Sequence, residues 1–192
     1  MDPSDWLHRV GAWREFYIFT GTAASTLMGL MFVVMSLAQR TLMTQQGRGA
    51  VGAFFTPIVA FFVTEMIVSM LLLIPAITPL WLGLGLAAAG LFGMGYMLAR
   101  AAHARWKGRW DLDPDDWTWY FALPALSYLV LIASGIFSYS SSAYGLYGAA
   151  LVMGALLLIG VRNAWDLTVY TLMRPESQES QQGTAGTPQA GP

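Results

Sequence analysis

Residues 50–77 read AVGAFFTPIVAFFVTEMIVSMLLLIPAI, and this stretch decides the class of fold. As a helix it is long enough to cross a bilayer, whose hydrocarbon core takes about 20 apolar residues. A single run at that depth must satisfy its own backbone hydrogen bonds, which leaves helix as its only form. Near its middle stands Glu65, the one acidic or basic side chain deep inside any apolar run of the chain.

Working outward, the same pattern recurs. Apolar blocks over residues 16–39, 51–74, 80–99, 117–139 and 144–161 predict five transmembrane helices, and hence an all-α, integral membrane helical bundle over residues 16–173. Composition agrees. Of the 192 residues 56% are hydrophobic and only 11% charged, against about 25% charged in an ordinary soluble domain. A net charge of −1 gives no basic field for nucleic acid. The absence of Cys excludes disulfides, Cys-ligated zinc, iron–sulfur clusters and thiol catalysis, and two His are too few for a histidine-rich metal site. The expected partners are the lipid bilayer and, within it, a second copy or another membrane protein. No cofactor or metal is expected.

Residues 1–15 predict a short amphipathic helix, with Ser4 or Asp5 as its cap. Trp6, Val10, Trp13 and Tyr17 follow helical spacing, with Arg9 and Arg14 off that face. Such a helix suits the membrane interface, its rings at headgroup level, or a simple lead-in to the first span. The N-terminal sequence is acidic before it is basic and has no small-residue cleavage site, so the first apolar segment is expected to insert and remain. Residues 174–192 are rich in Ser, Gln, Gly, Thr and Pro, and are expected to be disordered.

Two rows of small residues recur at four-residue spacing: Gly21, Ser25 and Gly29 in the first span, and Gly85, Ala89 and Gly93 in the third. Such rows let helices approach closely. Pro57 falls in the first turns of the second span, Pro75 and Pro79 end it before a tight hairpin into the third, and Pro124 predicts a kink in the fourth. The acidic run at Asp111, Asp113, Asp115 and Asp116 faintly resembles a calcium loop, but Asp116 stands where Gly is needed and Ala122 where a bidentate Glu is needed. It reads better as a helix start, capped by Asp113 with Pro114 as the first helical residue.

Arg40, Arg48, Arg100, Arg105, Lys107, Arg109, Arg162 and Arg174 fall on one side of a five-span topology, and only Arg9 and Arg14 on the other. Positive residues favour the cytoplasm. The N-terminus is therefore expected outside and the C-terminus inside, with Trp106, Trp110, Trp117, Trp119 and Trp165 as an inner aromatic belt and Trp6, Trp13 and Trp81 as an outer one.

FYIFTGTAASTLMGLMFVVMSL in the first span and GVRNAWDL at the end of the fifth carry a resemblance. Together with the span pattern, they look like a group of small, uncharacterised multi-pass bacterial membrane proteins. The resemblance implies a bacterial inner membrane and no particular activity. It also singles out Arg162, Asn163, Trp165 and Asp166, which otherwise read as an interfacial anchor.

A carboxylate at the bilayer centre costs about 3 kcal/mol on insertion-derived scales. Protonating an ordinary glutamate at pH 7 costs nearly 4 kcal/mol, at about 1.4 per unit of pH. The two are comparable, so the surroundings decide. In a dry site Glu65 donates a hydrogen bond as a neutral acid; beside water or a cation it ionises. Ser69 shares its helix face one turn on, and Thr22, Ser25 and Thr26 of the first span are the expected partners. Glu65 then either ties two helices together or moves or senses an ion or proton. Three classes of function follow. The favoured one is a non-catalytic membrane module that assembles through its small-residue faces. The alternative is an oligomeric ion or proton conduit built on Glu65. The third is an intramembrane enzyme, which the lack of HExxH, of paired membrane Asp residues and of a His within a span argues against.

Overall fold

The computed structural model describes residues 3–37, 56–106 and 117–172. They form α1 (Pro3–Ala12), α2 (Arg14–Leu37), α3 (Thr56–Leu72), α4 (Pro79–Trp106), α5 (Leu123–Tyr139) and α6 (Ala143–Leu172). Thr118–Ala122 is a wide helical turn that runs into α5. Among the described residues there is no strand. Among the described residues four stretches are long and apolar enough to cross a membrane: Arg14–Ser36, Pro79–His103, Thr118–Tyr139 and Ala143–Asp166. Large apolar side chains such as Phe92, Leu151 and Leu158 point outward while Glu65, Ser134, Ser138 and Asn163 turn inward, the reverse of a soluble protein. The chain is a multi-pass, membrane-embedded helical bundle.

The described part of the stretch around Glu65, α3, has 17 residues, about 25 Å of helix. It starts at Thr56, with Pro57 in the first turn, where a missing N–H breaks no helical bond. Residues 51–55, the capping role of Asp113, and the tail after residue 172 lie outside the described residues.

α4 packs on α5, α5 on α6, and α6 on α3, while α2 lies outermost against α3 and α6. Although α3 and α4 are joined by a short link, α3 packs chiefly on α2 and α6. Successive helices alternate in direction. One end of the bundle gathers α1, the α3–α4 link and the α5–α6 turn, because Trp6 Nε1 donates to the Ile77 carbonyl at 2.9 Å and the Trp13 and Tyr147 rings meet edge to face at 5.1 Å.

The apolar face of α1 packs on the bundle. Trp6 is 3% exposed and Val10 is buried, while Trp13 stacks on Tyr17. Its apolar face is spent on the end of the bundle. The indole N–H finds a buried carbonyl there, which a ring at that position requires. Of the expected aromatic belts, Trp81, Trp117 and Trp165 are exposed.

Local chemistry explains the helix breaks. Pro124 has no N–H to continue the i→i−4 ladder. The turn before it widens, so that the Leu123 N–H reaches the Thr118 carbonyl five residues back. α5 ends at a Schellman turn: the Ser142 N–H bonds the Phe137 carbonyl at 3.0 Å and the Ser141 N–H the Ser138 carbonyl at 2.9 Å. Ser141 takes the left-handed position there, at φ 57°.

The small-residue rows divide differently from their spacing. A Cβ on Gly83 would lie 2.7 Å from the Gly135 carbonyl, and a Cβ on Gly135 would lie 2.6 Å from the Gly83 carbonyl. α4 and α5 therefore cross backbone to backbone at Gly83, Gly90 and Gly135. Of the predicted third-span row, Gly85 lies under the Leu71 side chain, Ala89 packs on the core, and Gly93 makes room for the Tyr128 ring. In the first-span row only Gly21 packs, against Ser69. Ser25 and Gly29 are exposed, and nothing lies within 4 Å of a Cβ on Gly29. Within the described residues this row is therefore not one continuous contact. α2 meets the bundle on one narrow stripe, through Tyr17, Thr20, Ala24 and Met31, and the other faces of α2 look outward.

Candidate functional site

Glu65 lies on the inward face of α3, with Phe61, Phe62, Val68 and Ser69 buried around it on the same helix. It is 1% exposed. Neither carboxyl oxygen has a hydrogen-bond partner. That is costly for a carboxyl group, because burial removes water and nothing here replaces it.

The expected partners are not there. The Thr26 hydroxyl donates to the Thr22 carbonyl at 2.9 Å and the Ser25 hydroxyl to the Gly21 carbonyl at 2.8 Å. Thr22, Ser25 and Thr26 are all exposed. Hydroxyls in a helix satisfy themselves on the i−4 carbonyl, so Ser25 and Thr26 had no need of a distant carboxyl. Ser69, on the same side of α3 as Glu65, donates its hydroxyl across to the Tyr17 carbonyl of α2. It ties α3 to α2 and leaves Glu65 alone.

Three tyrosines that the sequence reading passed over as site residues, Tyr17, Tyr96 and Tyr128, keep their hydroxyls out of solvent, and Tyr128 lies beside the neighbour of Glu65. Tyr128 of α5 is 0% exposed. Its hydroxyl meets that of Thr64, the neighbour of Glu65, at 3.3 Å. The Tyr128 hydroxyl is also in electrostatic range of the Glu65 carboxyl and of the Tyr96 hydroxyl on α4. Tyr96 in turn is in electrostatic range of Arg100, one turn further along α4. The Tyr96 and Tyr17 hydroxyls are buried without a hydrogen-bond partner. Gly93 places this group, since only a residue without a side chain leaves the Tyr128 ring its slot against α4. The detectable signal was a tyrosine in mid-span, because a phenol at that depth needs a polar neighbour.

The cluster at the end of α6 is split. Arg162 lays its guanidinium over the Trp119 ring, 4.2 Å from the centroid, a cation–π contact rather than an exposed anchor. Asn163 is 0% exposed with neither amide atom hydrogen-bonded. Trp165 is exposed and Asp166 half-buried. Thus Asn163 belongs to the interior and Trp165 to the periphery, and the four residues form no single site. Among the described residues no group of three His, Cys, Asp or Glu side chains is placed to hold a metal ion.

The site is therefore one buried carboxyl of α3 with the Thr64–Tyr128 hydroxyl pair of α3 and α5 beside it. Comparison with protein families, curated proteins and solved structures finds no match for this chain.

Proposed function

We propose that the protein is a non-catalytic module of a bacterial inner membrane, crossing it five times with the N-terminus outside and the C-terminus in the cytoplasm, and assembling with itself or a membrane partner through the outward face of α2. The observation that carries this is the exposure of Thr22, Ser25, Thr26 and Gly29 on the outermost helix of the bundle. Small side chains let a second helix come close where lipid offers no such fit. The hydroxyls of Ser25 and Thr26 are already bonded within α2, so neither needs a hydrogen bond from a partner helix.

Topology is open to a simple test because the chain has no native Cys. With Ser141→Cys, an impermeant maleimide applied outside is expected to label intact cells; with Ser180→Cys it labels only after the cells are opened. The reverse pattern at either position overturns the five-crossing arrangement.

Assembly is tested at α2. Thr26→Cys is expected to cross-link between copies in native membranes, and adding Gly29→Leu to abolish the cross-link. The protomer itself is expected to melt within about 0.5 kcal/mol of the parent, as for a surface change that touches nothing. A Thr26→Cys protein that neither cross-links nor co-purifies with a membrane partner, or a Gly29→Leu variant that melts early, counts against this face.

A second reading is favoured by Glu65 itself. An interhelical clamp needs a hydrogen bond, and Glu65 makes none. An intramembrane acid without a structural bond is a candidate ion or proton site. The assembled protein then conducts an ion or proton by way of that residue.

A further inference from the structure

We propose that Glu65 is a reversible proton-binding site whose proton affinity is set by the Tyr128–Thr64 hydroxyl pair. This deepens the conduit reading and rests on it for its physiological purpose. The geometry comes from three helices. α3 supplies the carboxyl, 1% exposed and with both oxygens unpaired, and Thr64 beside it. α5 supplies Tyr128, whose hydroxyl meets Thr64 at 3.3 Å and interacts electrostatically with Glu65. α4 supplies Tyr96, whose buried hydroxyl interacts with Tyr128 and with Arg100.

The elements packed on α3 hold few groups able to compete. α2 turns Tyr17 inward, α4 Tyr96, and α5 Tyr128. On α6, Arg162 is engaged by Trp119, Asp166 lies one turn further along, and Tyr144 and Tyr147 are exposed. Among the described residues no cation pairs with Glu65. A metal ion would want several oxygen ligands, and no second carboxylate is near; the ligand that one carboxyl suffices to bind is a proton. The step is a simple acid–base equilibrium: the carboxylate accepts a proton on one oxygen, and the hydroxyls keep their own protons while orienting around it.

Dicyclohexylcarbodiimide is the probe. It partitions into membranes and reacts with a carboxylic acid, not a carboxylate; the acid proton passes to the carbodiimide nitrogen, the carboxyl oxygen adds to its central carbon, and rearrangement leaves a stable N-acylurea. Mass spectrometry of the full-length protein in vesicles is expected to find the adduct on Glu65. The labelling rate is expected to fall as the pH is raised through the titration of the acid, approaching tenfold per unit once the carboxylate dominates. Tyr128→Phe and Thr64→Val are expected to displace the pH of half-labelling by about half a unit or more, roughly threefold in proton affinity; Thr64→Ser is expected to restore the parental profile. If Tyr128→Phe does not fold, the pH dependence of the carboxylic C=O infrared band, assigned with Glu65→Gln, reads the same equilibrium in the parent and in Thr64→Val. A folded parent without the adduct, or labelling that is flat with pH, overturns the site. Unchanged profiles in the hydroxyl variants overturn the role of the pair. Labelling that titrates in a protein that passes no ions separates this site, which then stands, from the conduit reading, which then fails.

Discussion

Gly135→Leu is expected to be the most damaging single substitution in the bundle. A Cβ at Gly135 would lie 2.6 Å from the Gly83 carbonyl oxygen and 2.7 Å from the Ala87 nitrogen. Both are backbone atoms of α4, so no rotamer change relieves the overlap; the helices must separate. Their separation also displaces Gly90, whose own Cβ would stand 2.9 Å from the Ile132 nitrogen, and loosens the Tyr128 ring over Gly93. Ordinary overpacking costs about 1–3 kcal/mol, and opening the α4–α5 crossing is expected to exceed that. The measurement is the yield of folded protein and its melting temperature in detergent. Gly95→Leu is the control, since Gly95 is exposed with nothing within 4 Å of a Cβ, and it is expected to melt like the parent. Equal melting of the Gly135→Leu variant and the parent would refute the backbone contact between α4 and α5.

The second large effect is expected at Glu65, in function rather than in folding. Glu65→Gln keeps the shape and removes titration. In liposomes, flux that depends on pH or on a monovalent cation is expected from the parent and is expected to vanish in the Gln variant. Stability is expected to move the other way from that of a structural clamp. Glu65 makes no hydrogen bond, so Glu65→Leu deletes none and removes a polar group from an apolar interior, a change that is commonly neutral or stabilising. Its melting temperature in detergent is therefore expected to equal or exceed the parent's. A marked fall would show that the carboxyl holds helices together. No flux from the parent with protons or the common monovalent and divalent ions would end the conduit reading while leaving the assembly reading in place.

The burial of Glu65 was legible because a carboxyl in a long apolar run must face away from lipid. Its surroundings were not, for two reasons visible in particular residues. Spacing places Thr22, Ser25 and Thr26 at a plausible depth but says nothing about which face of α2 turns inward. α2 rotates Tyr17, Thr20 and Ala24 to the bundle instead. Hydroxyls also have an i−4 carbonyl always at hand, so their presence in a helix does not announce a partner. Gly93 makes the same point: its spacing suggests helix contact, while its neighbour is a tyrosine ring.

Local chemistry, by itself, determined the class and the punctuation. Long apolar runs require helix in a membrane, prolines mark the ends of α3 and the widened turn before α5, and Trp6, Val10 and Trp13 form a face that must be covered. Only the tertiary structure decided what covers that face, which glycines touch backbone, and which groups accompany Glu65. Those outcomes depend on the rotation of each helix about its axis and on its neighbours, which residue spacing within a single helix leaves free.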